Sequence, residues 1–135
     1  MIPYSLSGHM HEKEASYQLD RDVRFVPHVA AFFRGISLTI SAQLDHLATA
    51  AKLLNVYSEA YLDEPRVKVM ANIPEVQAVR GTPDVHIGGF AVDERDPSMF
   101  TVVVTLDNLS KGAASQAMQN LNLALGLDEN TGIES

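Results

Sequence analysis

Residues 104–127 read VTLDNLSKGAASQAMQNLNLALGL, which predicts a β-strand that leads directly into a capped helix. Asn108 is the predicted cap, because an asparagine side-chain oxygen can accept a free backbone N–H one turn further on. Gly126 stands where a left-handed residue ends a helix. The face that this helix is expected to bury is an apolar stripe at helical spacing, made of Ala114, Ala117, Met118, Leu121 and Leu125.

The clearest strand begins after Gly35, where apolar and polar residues alternate. A period of two predicts one buried face and one polar face. The buried face is expected to carry Ile36, Leu38, Ile40, Ala42 and Leu44, and the polar face Ser37, Thr39, Ser41 and Gln43.

The remaining elements are two further helices and five further strands. Helices are predicted at His9–Ser16 and, with Asp45 as its cap, at Asp45–Leu62. Gly88 and Gly89 inside a strand indicate a bulge, and the tail after Leu127 is expected to fray. Further strands are predicted at Val23–Pro27, Val67–Met70, Ala78–Val79, Val85–Val92 and Phe100–Leu106, the last two joined by a loop at Asp93–Pro97. The order of these elements predicts an α+β fold, with a mixed, largely antiparallel sheet and helices on one face.

Composition limits the classes of function. The 135 residues suffice for one domain, and the formal net charge of −7 without a basic cluster argues against nucleic acid and anionic membranes as partners. The chain has no cysteine, which excludes disulfides, thiolate metal sites and a cysteine nucleophile within these residues. No apolar run approaches the roughly 18 residues that a membrane span requires.

His9, His11 and Glu14 form the first candidate site. On an extended segment, residues two apart point to the same side, so two imidazoles and a carboxylate could bind a metal or transfer protons. The alternative is a polar loop before a helix, with Glu14 complementing the helix dipole in the first turn.

Arg34, Arg80 and Asn108 form the second group of candidates. A guanidinium binds carboxylate or phosphate through a bidentate fork, so Arg34 suits a substrate with several anionic groups. Arg80, next to Gly81, is expected either to contact an anion or to form a structural salt bridge. Asn108 is interpreted first as a helix cap.

Four collinear stretches match one family. They are IPYSLSGHMHEKE at 2–14, FVPHVAAFFRGI at 25–36, AVRGTPDVHIGG at 78–89 and the block at 104–127. Through them the chain resembles the N-acetyl-gamma-glutamyl-phosphate reductases of arginine biosynthesis. The resemblance implies the fold of a glyceraldehyde-phosphate-dehydrogenase-like C-terminal domain. It also implies reduction of an acyl phosphate to a semialdehyde, through a cysteine thiolate and NADP.

The resemblance assigns roles residue by residue. His9 matches the family's catalytic acid–base group, and His11 and Glu14 match residues that contact substrate or orient neighbours. Arg34 and Arg80 match substrate-anion contacts. In the wider superfamily, an asparagine at the position of Asn108 contacts the nicotinamide amide.

The resemblance also predicts what lies outside the chain. This family carries a glycine-rich dinucleotide fingerprint and a nucleophilic cysteine, and neither occurs here. We therefore expect residues 1–135 to form a single substrate-binding and dimerisation domain, with the nucleotide-binding domain, which would hold most of the NADP, absent. The expected partners are a small acyl phosphate, that domain, and further copies in a dimer or tetramer. The segment HMHEKEAS looks like fungal forms, so we expect a mitochondrial location if the source is fungal and a cytoplasmic one otherwise.

The alternative function is non-catalytic. The same α+β pattern fits a small dimerisation or regulatory binding module. An upstream dinucleotide fingerprint and cysteine in the gene would favour the enzyme.

Overall fold

The computed structural model describes residues 1–133, which fall into two compact units, residues 1–33 and the part from Arg34 onward. In the first unit, strand β1 (Ile2–Pro3) pairs antiparallel with β2 (His28–Val29). Helix α1 spans Met10–Leu19, close to the prediction, and ends at Asp20 in a left-handed conformation with φ 49°.

The predicted strand at Val23–Pro27 is wrong, because side chains of α1 bind this segment. The backbone N–H of Val23 donates to Ser16 Oγ at 2.9 Å, and that of Phe25 donates to Glu12 Oε2 at 3.0 Å. Donors that are satisfied by side chains are not available for a strand ladder.

The second unit is built on a four-stranded sheet. Its strands are β3 (Ile36–Gln43), β4 (Val67–Val69), β5 (Val85–Val92) and β6 (Met99–Leu106). Their order is β3-β6-β5-β4, and only the β4–β5 pair is parallel. The predicted mixed, largely antiparallel sheet is confirmed.

Helix α2 (Ala50–Ala60) covers one face of this sheet. The buried cluster beneath it contains Leu53, Ile87, Phe100 and Val102, and the ring of Tyr57 packs against that of Phe90 at a tilt of 58°, with centroids 5.0 Å apart. On β3 the strand is confirmed, with Leu38 paired with Val104 and Ile40 with Val102. The predicted burial of its apolar face is wrong for Ile36 and Ile40, which are 37% and 43% exposed, because α2 packs over β4 and β5.

The predicted start of α2 is wrong. Thr49, not Asp45, caps it and accepts from Lys52 N–H at 3.2 Å. The preceding residues bind the β5–β6 loop instead, because the N–H groups of Leu44 and Ala48 donate to the carbonyls of Ser98 and Pro97.

The bulge and the β5–β6 loop are confirmed. The register shifts between Gly88 and Ala91, and a Cβ at Gly88 would collide with the carbonyls of Met70 and Asn72. Asp93 Oδ1 organises the loop by accepting from the N–H groups of Arg95 and Asp96.

The strand predicted at Ala78–Val79 is wrong. These residues lie in a short helix, α3 (Val76–Val79), and the Ala78 N–H donates to the carbonyl of Glu75. A second turn follows at once, because the Thr82 N–H donates to the carbonyl of Val79. The two local hydrogen bonds use donors that a strand would need.

Helix α4 (Ser115–Ala124) follows a single π-helical turn, Ser110–Ala114. Gly126, at φ 71°, ends α4 as predicted. Its N–H donates to the carbonyl of Leu123, and the Leu127 N–H donates to that of Asn122, which is the Schellman pattern.

The predicted buried face of α4 is wrong, because α4 buries polar residues. Ser115, Gln119 and Asn122 are buried, whereas the side chains of Met118, Leu121 and Leu125 are 39%, 52% and 65% exposed. The segment after Leu127 explains this orientation of α4, because it covers the polar face. Asn122 Nδ2 donates to the carbonyls of Glu129 and Thr131 in that segment.

The tail is therefore bound as far as Ile133, against the expected fraying. Arg66 Nε donates to Asn130 Oδ1 at 2.9 Å, and Arg66 Nη2 donates to the Ile133 carbonyl at 3.2 Å. The same expectation for residues 134–135 lies outside the described residues. No helix in the described part of the chain is long and apolar enough to cross a bilayer.

Candidate functional site

His9 forms the N-terminal cap of α1. Its Nδ1 accepts the backbone N–H of His11 at 3.2 Å, so the neutral ring carries its proton on Nε2. Tyr4 Oη lies 3.5 Å from Nε2, and the ring of Phe25 packs 5.3 Å from the His9 ring. His9 is half-buried, and Nε2 is the ring nitrogen left for proton transfer.

His11 and Glu14 lie on the first turns of α1, not on an extended segment as expected. The rings of His9 and His11 still approach to 4.9 Å, because His9 is in the cap and His11 in the first turn. His11 Nδ1 donates to Glu14 Oε2 at 2.8 Å, and both side chains are exposed. The three predicted residues are thus brought together.

Glu12 belongs to this group and was missed as a site residue. Its carboxylate accepts from Gly8 N–H at 3.3 Å and from Phe25 N–H at 3.0 Å, which holds the Phe25 ring beside His9. The N–H of Phe25, followed by that of Gly8, holds the pKa of Glu12 below its ordinary value. The signal was available, since a glutamate three residues after a helix cap is the capping-box spacing.

The metal interpretation of this segment has no geometric support. Within residues 1–133, no three His, Cys, Asp or Glu side chains form a group that could hold a metal ion. The arrangement suits a proton-transferring imidazole oriented by a helix terminus.

Asp107 organises the second group of residues. Asp107 is completely buried between β6 and the π-helical turn. Its Oδ1 accepts from the N–H groups of Leu109 and Ser110, and its Oδ2 accepts from Gly81 N–H and contacts Arg34 Nε at 2.5 Å. Burial would raise the pKa of Asp107, but Arg34 and these N–H donors hold it far below its ordinary value.

Asn108 is not the cap that the sequence predicted, because Asp107 accepts the N–H groups that a cap would bind. The Oδ1 of Asn108 instead accepts from Gly35 N–H at 2.7 Å. Gly35 has φ 115°, and a Cβ there would collide with Val76. The side-chain amide nitrogen of Asn108 forms no hydrogen bond with any of residues 1–133.

Arg80 is exposed at the end of α3, and it forms no ion pair with any described residue. The structural salt bridge considered for Arg80 is therefore absent from residues 1–133, whereas Arg34 does form one. The backbone places Arg80 next to Gly81, which binds Asp107.

The comparison with protein families agrees with this arrangement. A family model described as semialdehyde dehydrogenase, dimerisation domain, matches residues 1–108, a range that includes His9, Arg34, Arg80 and Asn108. The chain belongs to this semialdehyde dehydrogenase family.

Curated relatives narrow the resemblance within the semialdehyde dehydrogenase family. The chain is 49% identical over 133 residues to the N-acetyl-gamma-glutamyl-phosphate reductase of Xanthomonas campestris, covering 98% of this chain and 42% of that protein. It is 47% identical to "Protein arg11, mitochondrial" of Schizosaccharomyces pombe, of which it covers 15%. The resemblance predicted from the four motifs is confirmed, and the chain spans less than half the length of these relatives.

Solved structures confirm the fold. Aspartate semialdehyde dehydrogenase II from Vibrio cholerae superposes with a TM-score of 0.74 at 18% identity, over 93% of this chain and 41% of that one. The aspartate semialdehyde dehydrogenase of Francisella tularensis gives a TM-score of 0.61 at 20% identity, over 92% and 39% of the two chains. The expected architecture of a glyceraldehyde-phosphate-dehydrogenase-like C-terminal domain is correct.

Proposed function

We propose that this chain is the substrate-binding and dimerisation part of an NADP-dependent reductase that converts N-acetylglutamyl 5-phosphate to N-acetylglutamate 5-semialdehyde. Its relatives support this proposal by name, and His9 carries it by geometry. The Nδ1 of His9 accepts a backbone N–H at the helix terminus, so the Nε2–H of the neutral ring is the group that donates a proton.

Each candidate residue has a role in this reaction. A cysteine outside these 135 residues attacks the acyl phosphate, and phosphate leaves. The cysteine reacts as a thiolate, and His9 is the acid–base residue whose Nε2–H donates a proton to the reacting group. His11 and Glu14 orient the imidazole and contact substrate. Arg34 and Arg80 bind the anionic groups of the substrate.

A nucleotide-binding domain outside these 135 residues would hold most of the NADP, which would supply the hydride. The free amide nitrogen of Asn108 fits a contact to the nicotinamide carboxamide. We also propose that the protein associates into a dimer or tetramer, which the description of the family model as a dimerisation domain supports. Its proposed location is mitochondrial if the source is fungal, as in the Schizosaccharomyces pombe relative, and cytoplasmic otherwise.

The reaction is tested by comparing the full-length protein with the isolated 135 residues. With N-acetylglutamate semialdehyde, phosphate and NADP⁺, we expect the full-length protein to form NADPH, in a manner that requires phosphate. The isolated chain should form none, because it has no cysteine to act as nucleophile. NADPH formation by the isolated chain would contradict the proposal that the nucleophilic cysteine lies outside these residues.

The alternative is a non-catalytic dimerisation or regulatory module, which the lack of cysteine and the description of the family model both favour. It predicts a full-length protein that binds partners but forms no NADPH under these conditions.

A further inference from the structure

Asp107 is a carboxylate fixed from three directions. It has no exposed surface, and its Oδ1 is held by Leu109 N–H at 2.8 Å and by Ser110 N–H at 3.1 Å. Its Oδ2 is held by Gly81 N–H at 2.6 Å. A buried carboxylate with three backbone donors has no freedom to follow a mobile partner, so its partners adopt the position that it sets.

Arg34 is the side-chain partner of Asp107. Its Nε contacts Asp107 Oδ2 at 2.5 Å, and its side chain remains 27% exposed. A guanidinium has five N–H donors in a rigid plane, so an ion pair at its Nε edge leaves the terminal nitrogens to bind another anion. No second ion pair of Arg34 occurs among residues 1–133.

The turn that carries Arg80 is attached to the same oxygen. Gly81, with φ 76°, directs its N–H to Asp107 Oδ2 and lies directly after Arg80. One buried oxygen therefore joins Arg34, two residues before β3, to the turn after α3. Both arginines are assigned to the substrate anions, and a shared support fixes their relative placement.

We infer that Asp107 is a positioning residue, which holds Arg34 and the Arg80–Gly81 turn in the arrangement that binds the anionic groups of the substrate. The inference rests on the proposed function and adds to it a residue that does not touch the substrate. Such a residue affects substrate binding indirectly, because it orients the side chain that contacts the substrate.

Asp107→Asn in the full-length reductase tests the inference. The asparagine oxygen can still accept from Leu109 and Ser110, while its amide would face the N–H groups of Gly81 and Arg34 as donor against donor. We expect the KM for semialdehyde or for phosphate to rise about 10-fold or more, and kcat to change less, because an anion contact is worth roughly that much.

Asp84→Asn is the matched control. Asp84 is also a buried carboxylate, only 7% exposed, and it is paired with Lys68 and Arg66, neither of which is assigned to the substrate. We expect this variant to lower Tm as Asp107→Asn does, with both KM values unchanged. A purely structural role of Asp107 would make the two variants alike, with lower Tm and unchanged KM values, and would overturn the inference.

Arg34→Lys keeps the test decisive if Asp107→Asn does not fold. A lysine retains the ion pair with Asp107 but has no second edge for an anion. We expect near-normal Tm with a KM raised like that of Asp107→Asn, and a normal KM would overturn the inference. An inactive wild-type protein would contradict the proposed function itself, whereas active enzymes with unchanged KM values contradict only the role of Asp107.

Discussion

At the scale of single residues, substitutions of His9 and Arg34 should change different kinetic constants. Asparagine in place of His9 can still cap α1 through its oxygen, so His9→Asn removes the proton carrier and leaves the helix start intact. In the full-length enzyme we expect kcat to fall by roughly 10²–10⁴, with a smaller change in KM. Steady-state kinetics with semialdehyde as the varied substrate measures this.

Arg34→Ala and His11→Asn are the comparisons for His9→Asn. Arg34→Ala removes a ground-state anion contact, so KM should rise most, and His11→Asn should give an intermediate effect. Near-normal turnover of His9→Asn together with loss of activity in Arg34→Ala would show that the assigned roles are wrong.

His86 makes stability depend on pH. It is buried on β5, and burial, followed by the positive charge of Lys68, lowers its pKa. The unfolded chain therefore binds a proton at a pH where the folded chain does not, and stability should decrease as pH falls below about 6.5. Urea unfolding of the isolated chain at pH 7.5, 6.5 and 5.5 measures this loss.

The control for this prediction removes the imidazole. His86→Gln should lose less stability than the wild type over the same pH interval, because the group that titrates differently in the two states is gone. Equal pH dependence of the two proteins would assign the effect to other groups.

The candidate residues were found from sequence, but their geometry was not. The motif His9-x-His11-x-x-Glu14 indicated the right side chains, although the segment forms a helix cap and first turn instead of an extended strand. Asp107 was missed because its role depends on contacts with residues that are distant in sequence. Its contacts to Arg34 and Gly81 join residues 73 and 26 positions apart in sequence, and no local pattern reports them.

At the scale of secondary structure, α4 shows where periodicity misleads. We expect Asn122→Ala to destabilise the isolated chain by about 1–3 kcal/mol, because two carbonyls of the tail lose their donor. Leu121→Ser should change stability by less than about 0.5 kcal/mol, because Leu121 is half exposed. The free energy of urea unfolding distinguishes the two, and a larger loss from Leu121→Ser would contradict the observed orientation of α4.

Elements whose pattern is local were predicted well. Strand β3 was found because alternation by itself specifies a strand with two different faces, and Gly126 because a left-handed residue ends a helix in any context. The failures at Asp45, Val23–Pro27 and Ala78–Val79 share one cause. In each segment, the structure gives backbone or side-chain groups partners that the local sequence does not reveal.

At the scale of the whole molecule, β3 offers an open surface. Ser37, Thr39, Ser41 and Gln43 are exposed on the sheet face opposite α2, and Ser41 Oγ lies 3.0 Å from Thr101 Oγ1 on the neighbouring strand. A flat row of short polar side chains permits a second sheet to approach closely, and the family is described as a dimerisation domain. This face is where we expect two copies to meet.

Sedimentation of the isolated chain over a concentration series should therefore show a dimer. Thr39→Glu places a charge on the β3 face, where a two-fold axis would bring the two copies of that charge together, so this variant should shift toward monomer with an unchanged urea midpoint at low concentration. Ser58→Glu adds the same charge on an exposed position of α2, which packs on the opposite face, and should remain dimeric. A wild-type chain that stays monomeric at high concentration would exclude self-association through these residues alone, and equal dissociation by both variants would show that charge, not position, separates the copies.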